Sequence, residues 1–305
     1  MIERSPIFDA ISYGVMILGL MLVLLPFWIT FVAGSQSIQE VTQVPINLWP
    51  SSHLLENLQA AWDRADLGPK MLNSFLVASG VTIGKIVLAS LSAFAIVFFN
   101  FRARMVCFWL IFMTLMLPLE VRIVPTYAIA ANALQPVQAI LDVTGISWLL
   151  QTLSGVQVSL EWNLLNSYPG MILPLVATAT GTFLYRQFFM TIPDELVEAS
   201  KMDGSGPLRF FWEVLIPLSR TNMLALATIM FVSSWNQYLW PLLITTDRAT
   251  YGTVVMQLKA LIPDPTGLPD WNVTMAGALI IMLPPLLVVA LMQRWFVRGL
   301  ISKDK

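Results

Sequence analysis

Three groups of residues have side chains and spacings that can do chemistry. Lys85, Glu120 and Arg122 are ionisable groups inside otherwise apolar runs, where a charge is costly and marks a path, a partner or a helix end. Glu120 and Arg122 stand two apart, so on a helix they point to different sides and do not pair with each other. The Arg122 guanidinium suits the bidentate geometry of a phosphate; equally, it can snorkel to a membrane interface. Lys85 lies too deep in its run to snorkel and calls for an acidic or carbonyl partner. The run Trp235, Asn236, Gln237, Tyr238 and Trp240 sets hydrogen-bonding amides among aromatic platforms. Trp and Tyr suit interfacial belts, but amides facing lipid would lack partners. Asn236 and Gln237 therefore face a cavity or a sister subunit, as part of an outer gate or a docking contact.

The third group is the polar stretch 195–220, ELVEASKMDGSGPLRFFWEVLIPLSR, set between two long apolar runs. Pro193 suits a first helical turn, Asp194 and Glu195 follow where acidic side chains favour the positive helix end, and Gly204 supplies a stop that tolerates the left-handed conformation. Pro207 opens a second short helix, with Phe210, Phe211, Val214, Leu215 and Leu218 forming one apolar stripe. Ala199, Ser200, Gly204, Ser205 and Gly206 leave so little bulk that another protein's surface can approach this backbone closely. The plainer reading is an amphipathic connector resting on the membrane surface.

Other chemistry is excluded by inventory. Cys107 and His53 are each the single residue of their type, so there is no internal disulfide and no multi-Cys or paired-His metal site. No convergent set of nucleophile and base stands out, and no G-x-x-x-x-G-K-[ST] loop is present to cradle ATP. A net charge of −1 argues against nucleic acid as a partner.

The elements that must position these residues are membrane spans. Hydrophobic residues make up 57% of the chain and charged ones 11%, with a mean hydropathy of +0.73, outside the soluble range. A span needs about 20 mostly apolar residues, and the runs 10–33, 71–99, 105–131, 168–190, 221–246 and 271–293 meet that need. The expectation is an all-α polytopic membrane protein, one transmembrane domain over residues 1–305 with six transmembrane helices. The first run outlasts the roughly 7 to 15 apolar residues of a cleaved signal peptide, so it stays as a helix. Positive charge collects on cytoplasmic flanks. One side holds Arg4, Arg102, Arg104, Arg186, Lys201, Arg209, Arg220, Arg294, Arg298, Lys303 and Lys305, and the other only Arg64, Lys70, Arg248 and Lys259. Both termini and the 191–220 segment are thus expected in the cytoplasm.

Glu198-Ala199-Ser200, Gly204 four positions after Ser200, and Val214-Leu215-Ile216-Pro217 resemble the EAA loop of ABC importer permeases. Glu198, Ala199, Gly204 and Pro217 match the family pattern at its spacing, and Ser200, Val214 and Ile216 depart from it conservatively. Further segments, among them MLNSF at 71–75, TLMLPLEVRIVPT at 114–126, FLYRQFFMTIPDELVEAS at 183–200, WNQYLWPLLITTD at 235–247 and MQRWFVRGL at 292–300, are similar to the permease subfamily of bacterial sn-glycerol-3-phosphate ABC importers. Several of them also occur in sugar permeases of the same superfamily, so an oligosaccharide or polyol is the competing substrate.

The resemblance implies a type I importer permease fold in the bacterial inner membrane, with a cytoplasmic coupling helix that fits a cleft on an ATPase subunit. Glu198, Ala199, Ser200, Asp203, Gly204 and Pro217 would carry that contact. The implied partners are a second permease, two copies of the ATPase and a periplasmic binding protein. ATP and Mg would be held by the ATPase subunits, and this chain would need no cofactor of its own and would catalyse no reaction. Lys85, Glu120, Arg122 and the 235–240 run are the candidates for a substrate path or gate, with pairing to the other permease the plainer role for Lys85. The stretch 135–166 is longer than the resemblance leads one to expect. Its Leu141, Ile146, Trp148, Leu149, Leu150, Leu153 and Trp162 suggest an amphipathic helix on the outer surface, or a contact with the binding protein or the neighbouring permease. A secondary transporter would instead show ion-coupling carboxylates and internal repeats, and only Glu120 lies deep enough to serve.

Overall fold

The computed structural model describes residues 6–45, 47–155, 159–177, 179–262 and 270–301, and the regular structure among them is helical throughout. Arg4, Lys303 and Lys305 from the charge count lie outside the described residues, as do the side chains of Glu120, Arg294 and Arg298. Among the described residues, four helices are long and apolar enough to cross a membrane: Pro6–Ser35, Leu67–Phe98, Pro207–Trp235 and Trp271–Gln293. The most apolar stretch of Pro6–Ser35 is only 6% buried. A helix whose leucines, isoleucines and methionines point outward all round needs hydrocarbon or another subunit against it.

The other expected spans are interrupted, and the sequence explains one break directly. The run 105–131 is built as Arg104–Met113, a 3-10 turn at Thr114–Met116, and Leu119–Ala131. Pro118 lacks an N–H and biases the residue before it toward extended backbone; Leu117 accordingly sits at φ −93° and ψ 108°, and Pro118 at φ −61° and ψ 153°. The run 168–190 is built as Tyr168–Val176 and Ala179–Phe189, with Ala177 extended at φ −72° and ψ 109°.

The run 221–246 differs from expectation at both ends. Its helix begins at Pro207, so the expected second short helix of the polar stretch and the span are one continuous element ending at Trp235; a separate short helix, Leu239–Ile244, follows. Arg209, Glu213 and Arg220 lie on the solvent-exposed face of this helix while Phe210, Phe211 and Leu215 are buried. Pro217 would break a regular α-helix at this point. The backbone accommodates it with a π-helical turn at Phe211–Leu215, in which the Ile216 N–H reaches back to the Phe211 carbonyl.

The described chain falls into two compact units. The first comprises Met1–Met71 and Val254–Pro284, and a buried amide network organises it. Asn57 donates to the carbonyls of Gly34 at 2.9 Å and Gln36 at 2.8 Å, while its own side-chain oxygen accepts from Asn272 at 2.8 Å. Gly34 suits a close approach, because a Cβ there would stand 3.1 Å from the Ala276 nitrogen. A capping box opens the Ile38–Val41 turn, with the Glu40 carboxylate accepting from the Ser37 backbone N–H at 2.8 Å. That bond, with the Ser37 hydroxyl beside it, holds the Glu40 carboxyl below the usual carboxylate range.

Among the described residues of the second unit, Leu72–Thr253 with Pro285–Lys305, two buried cores stand out. One joins Ala89, Ala93 and Phe94 to Tyr185, Phe189, Phe210, Phe211 and Leu215. The other surrounds Trp240 and Ile244 with Val77, Val81, Ala130, Leu164, Met171 and Leu175. The 135–166 stretch forms two short helices rather than one, Gln135–Val143 and Ile146–Ser154, separated by Gly145 at φ 73°. Asn132 ties down its return, donating to the Leu160 carbonyl and accepting from the Trp162 N–H, both at 3.2 Å.

Candidate functional site

The polar stretch folds as a helical hairpin. Asp194–Met202 starts after Pro193, whose extended ψ of 138° sets the entry, and carries Asp194 and Glu195 in its first turn and Lys201 in its last, matching the helix dipole at both ends. Its stop has a complete bonding pattern: the Gly204 N–H donates to the Lys201 carbonyl and the Ser205 N–H to the Ser200 carbonyl, each at 3.0 Å. This six-to-one and five-to-two pair requires a left-handed residue between the helices, and Gly204 supplies it at φ 72°. Gly206 and Pro207 then open the long helix, the Phe210 N–H donating to the Gly206 carbonyl.

The inner face of the hairpin is aromatic. The Phe211 ring lies 4.9 Å from Phe94 and the Phe210 ring 5.3 Å from Phe98, which in turn faces Phe189 at 6.1 Å. Of the expected stripe, Phe210, Phe211 and Leu215 are buried, Val214 is half-buried and Leu218 is exposed. The outer face pairs exposed charge with exposed apolar surface: Glu198, Lys201, Asp203 and Arg209 stand among Met202 at 83%, Leu208 at 68% and Trp212 at 64% exposure. A patch of large apolar side chains rimmed by charge marks a contact with a protein or with a membrane surface.

The small residues divide between these faces. Glu198, Ala199, Asp203, Gly204 and Pro217 are exposed, but Ser200 is buried. Its hydroxyl has no hydrogen-bond partner and forms part of the wall of a cleft of about 320 Å³ between the hairpin and Phe98, Phe99 and Asn100. Ser200 therefore faces this chain's own interior, whereas Ala199 and Gly204 are exposed at its surface. A Cβ on Gly204 would meet nothing within 4 Å.

The aromatic and amide run also divides. Trp235 and Trp240 are buried at 2% and 0% exposure, and the Trp240 indole donates to the Gly170 carbonyl at 3.1 Å. Both tryptophans thus belong to the interior of this unit. Asn236 is exposed, and Gln237 and Tyr238 are half-buried. They occupy the break after Trp235, where the backbone leaves the helix. Lys85 and Arg122 are half-buried on different helices of the same unit, near enough for their charges to act on one another.

Sequence reading missed the polar nodes that hold this second core. Asn73, in the MLNSF segment, donates to the carbonyls of Thr250 at 2.7 Å and Gly252 at 3.0 Å and accepts from the Tyr168 hydroxyl at 2.7 Å. Asn166, at φ 51°, accepts from the Thr246 and Asp247 N–H groups at 2.7 and 2.9 Å. An asparagine in an apolar run was the available signal for Asn73.

Comparison with known proteins agrees with this architecture. Residues 85–302 match the family described as binding-protein-dependent transport system inner membrane component. The chain is 46% identical to the sn-glycerol-3-phosphate transport system permease protein UgpE of Pectobacterium atrosepticum and 44% identical to those of Yersinia enterocolitica and Escherichia coli, in each case over the full length of both chains. Among solved structures it is similar to a chain in the crystal structure of a bacterial ABC transporter involved in the import of the acidic polysaccharide alginate. The TM-score is 0.71 at 20% identity, covering 95% of this chain and 97% of that one, a likeness of fold.

Proposed function

The chain belongs to the family of binding-protein-dependent transport system inner membrane components, and on that premise we propose that it carries sn-glycerol-3-phosphate and related glycerophosphodiesters across the bacterial inner membrane. The single observation that carries the substrate is the 44–46% full-length identity to permeases named for sn-glycerol-3-phosphate transport. As a permease subunit of an ABC importer it is non-catalytic and needs no cofactor of its own.

In this reading six spans cross the membrane, the two interrupted runs at 105–131 and 168–190 included, with both termini in the cytoplasm. The chain works beside a second permease, above two ATPase subunits and below a periplasmic binding protein. The hairpin around Gly204 is the ATPase contact, made through Glu198, Ala199, Asp203 and Gly204, with Ser200 and Pro217 shaping the hairpin behind them. Its aromatic inner face against Phe94 and Phe98 supports a rigid joint between that contact and the Leu67–Phe98 helix. ATP-driven closure of the ATPases would thus reorient the span and alternate the access of the path. Lys85, Glu120, Arg122, Asn236, Gln237 and Tyr238 are the path or gate residues, and Trp235 and Trp240 hold the scaffold behind the gate. The 135–166 helices serve as an outer contact for the binding protein or the second permease.

The test is uptake by the complex reconstituted in vesicles with its ATPase, second permease and binding protein. Labelled glycerol-3-phosphate should accumulate on ATP addition and maltose should not. Accumulation of maltose without glycerol-3-phosphate would overturn the substrate.

A further inference from the structure

We propose that Lys85 and Arg122 together form one station for a dianionic phosphate group within the translocation path. The inference deepens the glycerol-3-phosphate reading and rests on it.

Packing places the two cations in the same region of this unit. Val77 and Val81 of the Leu67–Phe98 helix share a core with Ala130 and, at its edge, Ile123 of the Leu119–Ala131 helix. Lys85 lies one turn beyond Val81 on the same helix face, and Arg122 adjoins Ile123 in the first turn after the break at Leu117–Pro118. The Arg122 Nε is buried and has no hydrogen-bond partner, and among the described residues neither side chain enters an ion pair. Two like charges near one another in a low dielectric repel, and an anion between them would relieve that repulsion.

The nature of that anion follows from charge and depth. A phosphate monoester carries about −1.5 to −2 at pH 7 and balances both side chains, accepting directed N–H bonds from the guanidinium and a point-charge contact from the ammonium. A phosphodiester balances only one. The start of the broken helix adds its positive dipole end on the same side. Lys85 is roughly 20 Å or more from either end of its helix at about 1.5 Å per residue, a depth that lipid headgroups do not reach. A carboxylate from the second permease is the competing occupant.

The experiment compares Lys85→Met, Arg122→Gln and Lys85→Arg in the complete reconstituted complex, reading labelled glycerol-3-phosphate and glycerophosphodiester uptake, ATP hydrolysed per molecule imported, and subunit composition. The station requires that Lys85→Met and Arg122→Gln each raise the ATP consumed per glycerol-3-phosphate about tenfold, the loss of one charge-assisted contact. The diester should be affected less by Lys85→Met, and Lys85→Arg should restore most of the monoester uptake. Equal loss for monoester and diester, or unchanged uptake, would overturn the station. Loss of the second permease from the purified Lys85→Met or Arg122→Gln complex would also overturn it, in favour of a carboxylate partner. If the unmodified complex imports maltose and neither phosphate ester, the substrate reading itself fails and the station falls with it.

Discussion

The Trp240 indole nitrogen donates a buried hydrogen bond to the Gly170 carbonyl across 3.1 Å, joining residues 70 positions apart. The glycine is as constrained as the tryptophan, because a Cβ at position 170 would stand 2.0 Å from the Leu164 carbonyl oxygen and 3.1 Å from the Ile244 Cδ1. The contact fastens the Tyr168–Val176 helix to Leu239–Ile244 and fixes the break that exposes Asn236.

Trp240→Phe leaves the Gly170 carbonyl unpaired and should cost about 1–3 kcal/mol, seen as a lower melting temperature of the detergent-solubilised complex. Gly170→Ala should do worse, since its clash is with backbone and cannot be relieved by a rotamer. Transport per assembled complex should fall less than the yield of complex does. A Gly170→Ala chain as stable as the unmodified one would show the close approach to be absent.

Phe211→Ala removes a ring 4.9 Å from Phe94 from a site only 1% exposed. The truncation should cost about 3–5 kcal/mol and loosen the joint between hairpin and span. ATP hydrolysis should then continue with little accumulation of substrate, whereas Phe211→Leu should retain much of the coupling. Uptake per ATP unchanged in Phe211→Ala would separate this core from energy transmission.

Cysteine accessibility tests the orientation that the uneven Lys and Arg distribution favours. In a cysteine-free background, Ser205→Cys should react with a membrane-impermeant maleimide only from the cytoplasmic side and Ala249→Cys only from the periplasmic side. The reverse pattern would invert the topology.

The sequence made the membrane class, the helical runs and the hairpin with its glycine stop readable, because each rests on local composition or on one residue's backbone preference. The break before Pro118 was equally local, yet the continuous hydropathy of 105–131 masked it. The span expected to begin at residue 221 begins at Pro207 instead, because the helix continues through Pro217 by a π turn that depends on the bonding of Ile216 to Phe211. The inward side chain of Ser200, the buried positions of Trp235 and Trp240, and the placement of Lys85 and Arg122 in one region were out of reach. Each depends on which helices pack together, and no periodicity in one segment encodes its neighbour.

On the proposed function, the exposed backbone at Gly204 is kept clear for an ATPase subunit. Gly204→Asn isolates it, because asparagine tolerates the left-handed φ of 72° and a Cβ there meets nothing within 4 Å in this chain. The decisive measurement is co-purification of the ATPase with the Gly204→Asn permease pair, beside the melting temperature of the pair alone. The melting temperature should stay near that of the unmodified pair while ATPase binding and ATP-dependent uptake are lost. Full ATPase retention with normal uptake would contradict the account and reduce Gly204 to a helix stop.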